Sequence, residues 1–480
     1  MRFLPGSAIL TLTAFLATAC GSTDLSKATK PFREGKFQDA AANIASVEGE
    51  GTDGVWIQME KGSILKAAGR HAESQVALER CQEQMDDLLK KSGEESIAVG
   101  GLAGAGAVMT DDRQVTYVGA LYEAQLVCAL QTMNALLQSN LSQAQAAVSA
   151  LRARVDEADD VKAKAREYLE KKREENEAKA KEHQGEYGAV LTFSSASDQL
   201  TAAYTSWADS ALGIGLYLGA IVDRESGRGS DFPGLLLRSA EESKKLTHLA
   251  DQVFYPNFAK SLESAVGNLA ALPSGPTTYV IIEDGLAPFK EVDGALLQEM
   301  QQKNGLDVQL PALRHEPSRL VSGWQVTLEG DRSVNADLVC SVSVVKQNEF
   351  DVNYPDIRYR AVLGKVIKKA MTAAGAAVAI ASEDRNAQMI GAAVALFGAV
   401  SDALQGADLR SWDCLPSAYY AVAIPTPVGG KMKITSTGGS TPNEVMVVPG
   451  VSNIVVITSL KPDTCSTQSA PLQAVAAQAN

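Results

Sequence analysis

The sequence predicts an α+β protein: N-terminal all-α tetratricopeptide-like helical repeats, then a C-terminal domain with antiparallel strands and a small-residue helical hairpin. Three observations predict it. "EGKFQDAAANI" (Glu34–Ile44) and "AGRHAESQVAL" (Ala68–Leu78) place Gly35 and Gly69 34 residues apart, a period of paired-helix repeats. Helical patterning runs on to Leu269 and stops at "LPSGP" (Leu272–Pro276), because proline and glycine punctuate regular structure. Beyond it, β-branched and aromatic stretches such as "TTYVIIEDG" (Thr277–Gly285) alternate with turn residues, the pattern of strands.

At the N-terminus, Arg2 precedes an apolar segment, Ile9 to Leu16, and the small residues Ala17-Thr18-Ala19. That is the form of a secretory signal over 1–19, too short to span a bilayer. Ala17–Cys20 resembles a bacterial lipobox, with Leu16 one place further from the cysteine than usual. The resemblance implies cleavage before Cys20 and acylation of its thiol, and several acyl chains hold a protein firmly to a membrane. Gly21 follows the cysteine where inner-membrane retention would place Asp. An outer-membrane lipoprotein facing the periplasm is therefore expected.

The helical region is expected over 20–271. Gly62, Ala40 and Ile44 fit packing positions of helix pairs, and "SNLSQAQAAVSALRAR" (Ser139–Arg154) repeats the turn-then-helix pattern as a third unit. Before it, Val118, Tyr122, Leu126, Leu130, Met133 and Leu137 form an apolar stripe at helical spacing. The glycine-rich "VGGLAGAGAVMTDD" (Val99–Asp112) lacks phosphate-loop spacing and reads as a loop, while "GIGLYLG" (Gly213–Gly219) reads as close helix packing. The stretch 161–183 carries acid-before-base pairs four residues apart, such as Glu167/Lys171, and is polar on almost every side. A solvated helix is expected there.

The C-terminal domain is expected over 277–460. "GWQVTLEG" (Gly323–Gly330) alternates as a strand, and "KMKITSTGG", "NEVMVVPG" and "NIVVITSL" read as consecutive antiparallel strands. Between them a basic lead-in, "IRYRAVLGKVIKK" (Ile357–Lys369), enters two small-residue segments reaching Leu404. They predict a buried helical hairpin, with lipid contact as the alternative. The tail 461–480, rich in Ser, Ala and Gln, is expected to be disordered.

A net charge of −13 opposes nucleic-acid binding. The four histidines are scattered, so none stands at metal-ligand spacing from another. After Cys20, five cysteines remain, an odd number that leaves at least one thiol unpaired. G-x-S-x-G, H-E-x-x-H, Walker A and C-x-x-C motifs are absent, and no cofactor is implied. Glu283 and Asp284 are the candidate pair for a hydrolase, although "EDG" after a strand is first a turn signal.

"YVGALYEAQLVCALQTMNALLQSNLSQAQAAVSALRAR", "YVIIEDGLAPFKE" and "GADLRSWDCLPSAYY" together resemble a family of uncharacterised bacterial lipoproteins with an N-terminal tetratricopeptide-like region. Asp408, Arg410, Trp412, Leu415 and Pro416 match its Asp-x-Arg-x-Trp-x-x-Leu-Pro signature. The resemblance implies architecture and a role in envelope or cell-wall maintenance, with no activity attached. From the residues themselves, Asp408 and Arg410 beside Trp412 form either a charge-supported turn with the guanidinium on the indole or a bidentate anion recogniser. The expected function is non-catalytic scaffolding, with another envelope protein or peptide as partner and the membrane reached through the lipid anchor. A lipid- or cell-wall-fragment-binding role for 357–404 is the alternative, and an unmotifed hydrolase the least favoured.

Overall fold

A computed structural model describes residues 24–92, 116–117, 119–156, 212–228, 231–243, 258–304, 307–316, 323–381, 388, 406–437, 439 and 442–472. The signal segment, Cys20, the glycine-rich stretch, the charged stretch 161–183 and nearly all of 382–404 lie outside the described residues.

The chain begins with helix pairs: α1 (Ser26–Arg33) with α2 (Phe37–Ala45), α3 (Gly54–Ala67) with α4 (His71–Ser92), and α5 (Leu121–Leu137) with α6 (141–156). One cap closes all three. Gly35, Gly69 and Ser139 stand just past the first helix of each pair with φ of 79°, 77° and 56°. Their amides reach back to Phe32, Lys66 and Leu136, and the next amides to Pro31, Leu65 and Ala135, at 2.8–2.9 Å. This is the Schellman arrangement, which needs a left-handed residue and satisfies carbonyls the helix end leaves open. Glycine adopts that conformation without strain. The sequence register of the first two turns and the repeat at Ser139 thus have one physical cause.

Further helices, α7 (Gly213–Glu225), α8 (Phe232–Ser243) and α9 (Phe258–Ala270), precede the strands. A Cβ at Gly213, Gly215 or Gly219 would run into Val339, Leu151 or Phe232, so "GIGLYLG" does serve close packing.

The strands are β1 (Thr277–Asp284), β2 (Phe289–Val292), β3 (Pro311–Arg314), β4 (Trp324–Thr327) and β5 (Ser333–Ser341). After them come β6 (Ala418–Pro425), β7 (Lys431–Ser436), β8 (Asn443–Met446), β9 (Ser452–Lys461) and β10 (Thr464–Leu472). Helix α10 (Gly294–Asn304) joins β2 to β3 in a separate ribbon, and α11 (Val342–Ala381) follows β5 directly. Eight strands form one sheet in the order β10-β9-β1-β6-β5-β4-β7-β8. Its two edges curl toward each other: the Cys465 thiol of β10 meets Asn443 of β8, and Ser469 Oγ donates to the Met446 carbonyl at 3.1 Å. The sheet is nearly closed, which removes much of the exposed-edge liability of open sheets.

Two expectations are corrected here. β7 and β8 are antiparallel neighbours, but β9 crosses to the far side and runs parallel to β1, opposite its Thr278–Asp284 stretch. Residues 464–472 are the edge strand β10 and no disordered tail, because β9 supplies the ladder that their polar composition could not announce. The hairpin expected at 357–404 begins as the second half of the 40-residue α11; its other arm lies outside the described residues.

The break at 272–276 separates helices from strands but not one core from another. Leu126 of α5, Tyr217 of α7, Tyr279 of β1 and Val456 of β9 belong to a single buried apolar cluster. α5 packs on β9 and β10, α7 on β5, and α9 on β5 and β6. Every residue of β1 is buried, as expected of a strand covered on both faces.

Candidate functional site

The signature segment 408–416 has no regular structure and lies along α3. Trp56, Glu60 and Ser63 are spaced four and three residues apart, which puts them on one helix face. Each holds the segment. Trp56 Nε1 donates to the Ser411 carbonyl at 2.8 Å, and Trp412 Nε1 donates to Ser63 Oγ at 2.8 Å. Glu60 accepts from the Asp413 amide at 2.5 Å and the Cys414 amide at 3.2 Å. Irregular buried backbone needs such partners, because strand or helix ladders do not supply them. Trp412 itself is fully buried.

Neighbouring ion pairs extend this strap. One turn beyond Ser63, Lys66 meets Glu283 of β1 at 2.5 Å, and Thr458 Oγ1 of β9 donates to the same carboxylate oxygen at 2.6 Å. Arg33 of α1 pairs with Asp413 at 3.3 Å and stacks over the Phe289 ring at 3.9 Å. Burial, together with the Asp413 charge, pushes Glu60 up to about 8 despite its two amide bonds.

Arg410 is saturated by its own chain. Nε and Nη2 form the two-point contact with Asp408, each at 2.9 Å, while Nη1 donates to Asp53 at 3.0 Å and to the Thr52 carbonyl at 3.3 Å. The Arg410 amide also donates to Asp408 at 3.0 Å. Burial acts to raise Asp408, but Arg410's hydrogen bonds and the Lys290 charge outweigh it and hold the carboxyl below its ordinary value. The charge-supported turn expected from "DLR" is therefore present, with one correction: the ring beneath the guanidinium, 5.6 Å away, is Tyr117 and not Trp412. The fork that could have gripped an external anion grips Asp408 and Asp53.

Beside Arg410 opens a cavity of about 70 Å³. Its walls come from four places. The Ser341 hydroxyl accepts from the Val344 amide at 3.3 Å and caps the start of α11, which carries Lys346 and Glu349 into the cavity one turn apart. The β2–β3 ribbon contributes Lys290 and Leu313, which are register partners. Residues 116–123 contribute Tyr117, Tyr122 and Glu123, and the strap contributes Asp408, Arg410 and Ser411. Glu123 accepts from the Ala120 amide at 2.8 Å, from Tyr117 OH at 2.9 Å and from Tyr122 OH at 3.3 Å. Lys346 is 3% exposed and donates to the Trp412 carbonyl at 3.0 Å; burial lowers its pKa. Burial raises Glu349 to about 7, opposed mainly by Lys290, and Asn353 Nδ2 donates to its Oε1 at 2.8 Å.

No family model, curated protein or solved structure matches this chain.

Of the residues singled out in the sequence, Asp408, Arg410 and Trp412 fall on the strap, and Cys20 lies outside the described residues. Glu283 and Asp284 do not converge: adjacent strand residues face opposite sides, and Glu283 is bound to Lys66. All five remaining cysteines are free thiols. Among the described residues no helix is long and apolar enough to cross a membrane. Sequence reasoning missed Lys346, Glu349, Lys290 and the Trp56/Glu60/Ser63 face. For Lys346 and Glu349 a signal existed: two charges one turn apart directly after the apolar "LVCSVSVV".

Proposed function

We propose that this chain is a lipid-anchored, periplasm-facing bacterial envelope protein that works as a non-catalytic interaction scaffold built on tetratricopeptide-like helix pairs. The observation that carries this reading is one hairpin repeated three times with the same left-handed cap at Gly35, Gly69 and Ser139. Cys20, in its lipobox-like setting, is the anchor. Stacked helix pairs form an extended concave surface that can receive a partner. Here the chain's own strap lies along α3, so the reading assigns partner contact to the outer helices, α2 and α4, and to the cavity beside the strap. The test combines two arms in intact cells. Labelled palmitate should enter the wild type and not Cys20→Ser, and crosslinking should join one envelope protein specifically to α2 or α4. Palmitate-free protein, or crosslinks scattered without preference, would contradict the reading.

A second reading, lipid or cell-wall-fragment binding through 357–404, is favoured by Ile380, which is 85% exposed near the end of α11. An apolar side chain beyond a basic stretch suits a headgroup boundary. Anchorless protein should then co-sediment with anionic liposomes and lose that association on Ile380→Glu. Equal sedimentation of the two would end it.

A further inference from the structure

We infer that the cavity between α11, the β2–β3 ribbon and the start of α5 is a carboxylate-binding site that admits the carboxyl end of a small acid or a peptide. Three observations lead there, and none depends on the anchor or on the scaffold reading.

The first is an imbalance among the cations around the cavity. The guanidinium of Arg410 is engaged by Asp408, Asp53 and the Thr52 carbonyl. Lys346, almost fully buried, donates one of its three N–H groups to the Trp412 carbonyl. It makes no ion pair with any described residue. Lys290 lines the same cavity, and its ammonium makes neither a hydrogen bond nor an ion pair with a described residue. A buried ammonium with open donors is costly unless something accepts from it.

The second is that the acids on the cavity wall are already engaged, except one. Asp408 belongs to Arg410, and Glu123 accepts from Ala120, Tyr117 and Tyr122. Among the described residues only Glu349 keeps an oxygen open there: Asn353 takes Oε1. The open groups are thus two ammoniums and one carboxyl oxygen. They fit an incoming anion that Lys346 and Lys290 can both reach, with the Glu349 carboxyl, when protonated, donating to it.

The third is size. The cavity volume of about 70 Å³ matches roughly two water molecules, enough for a carboxylate and the carbon that bears it. It is far below the several hundred Å³ that encloses a drug-sized ligand, so the rest of any larger ligand must stay outside. Tyr117 and Phe350 flank the space and offer apolar surface to that first carbon.

Calorimetric titration of the anchorless chain with acetate, acetyl-glycyl-glycine and the C-terminal amide of the same peptide tests this. Acetate and the free-acid peptide should bind and the amide should not; the tighter of the first two identifies a free acid or a chain end as the source. Lys346→Met should weaken binding by at least about tenfold, the loss of a hydrogen bond to a charged group. Glu349→Gln keeps the shape, removes the opposing charge and should tighten binding severalfold. It also covers the case in which Lys346→Met fails to fold. No saturation below about 10 mM, which is barely 3 kcal/mol of affinity, would overturn the assignment and leave the cavity to water. Equal binding of acid and amide, or Glu349→Gln binding no tighter than wild type, would overturn it as well.

Discussion

Two cations meet at the strap, Arg410 within it and Lys346 against its Trp412 carbonyl, and they are used differently. Arg410 and Lys346 are both almost fully buried, 5% and 3% exposed, yet Arg410 has two carboxylates and a carbonyl as partners while Lys346 has one carbonyl. The contrast separates structural charge from available charge. A guanidinium whose fork is filled fixes the turn at 408–410 and joins it to Asp53 ahead of α3. An ammonium with donors to spare holds little in place for its cost of burial, and it faces a cavity.

The sharpest way to break that comparison is to remove each charge in turn. Arg410→Met takes the guanidinium from buried Asp53 and half-buried Asp408 and should cost about 3–5 kcal/mol. Lys346→Met loses one neutral acceptor's bond and should cost about 1–2 kcal/mol. Urea unfolding checks both, and equal losses would erase the distinction.

Next in size, Lys66→Met should destabilise by about 3–5 kcal/mol, because it strands Glu283 inside the core. Adding Glu283→Leu should recover much of that loss, since an apolar pair of similar volume replaces a desolvated ion pair well. If the double variant is no better than the single, the pair has a role beyond mutual neutralisation.

The pH dependence sharpens the comparison from the acid side. Glu60 and Glu349 have folded pKa values pushed up to about 8 and about 7. In the window from the ordinary carboxylate range to those values the folded chain keeps protons that the unfolded chain releases. Their stabilising contribution is therefore complete below the ordinary pKa and is lost as pH rises toward about 8. Thermal midpoints should fall from pH 5 to pH 8, and Glu60→Gln should flatten the fall. Asp408 acts in the opposite sense at acid pH: its lowered pKa makes stability drop as pH falls through it.

The smallest expected effect is at a repeat turn. Gly69→Ala places a Cβ on a residue at φ 77° with no steric neighbour within 4 Å, so only backbone strain remains, about 1 kcal/mol. A Ser139→Gly change relieves the same strain but removes the bond from Ser139 Oγ to the Pro471 carbonyl, 2.7 Å, so its net effect should stay within about 1 kcal/mol.

How much of this was legible beforehand follows from how local each feature is. The helix pairs were legible, since a glycine turn and an apolar stripe are properties of a dozen consecutive residues. β1 and β4 were legible from their own composition. The signature at Asp408, Arg410 and Trp412 stood out as a charge-supported turn, but its partners did not. Trp412 meets Ser63 and Asp413 meets Glu60 across some 350 residues, and nothing in a helix that is buried nearly all round marks the face that will accept a strap. The parallel place of β9 and the existence of β10 escaped for the same reason: a strand's neighbour is chosen by the whole sheet. Half of the cavity was visible as Asp408 and Arg410, and the half that carries open donors was not.

The claim on which the rest depends is that the helix pairs and the sheet fold as one unit, joined by the strap on α3 and a shared core. Urea unfolding of the anchorless chain followed by far-ultraviolet circular dichroism and by tryptophan fluorescence tests it most directly. Coincident single transitions that shift together to lower urea in Arg410→Met are the result expected. Two separated transitions, with the helical signal unmoved by Arg410→Met, would contradict it.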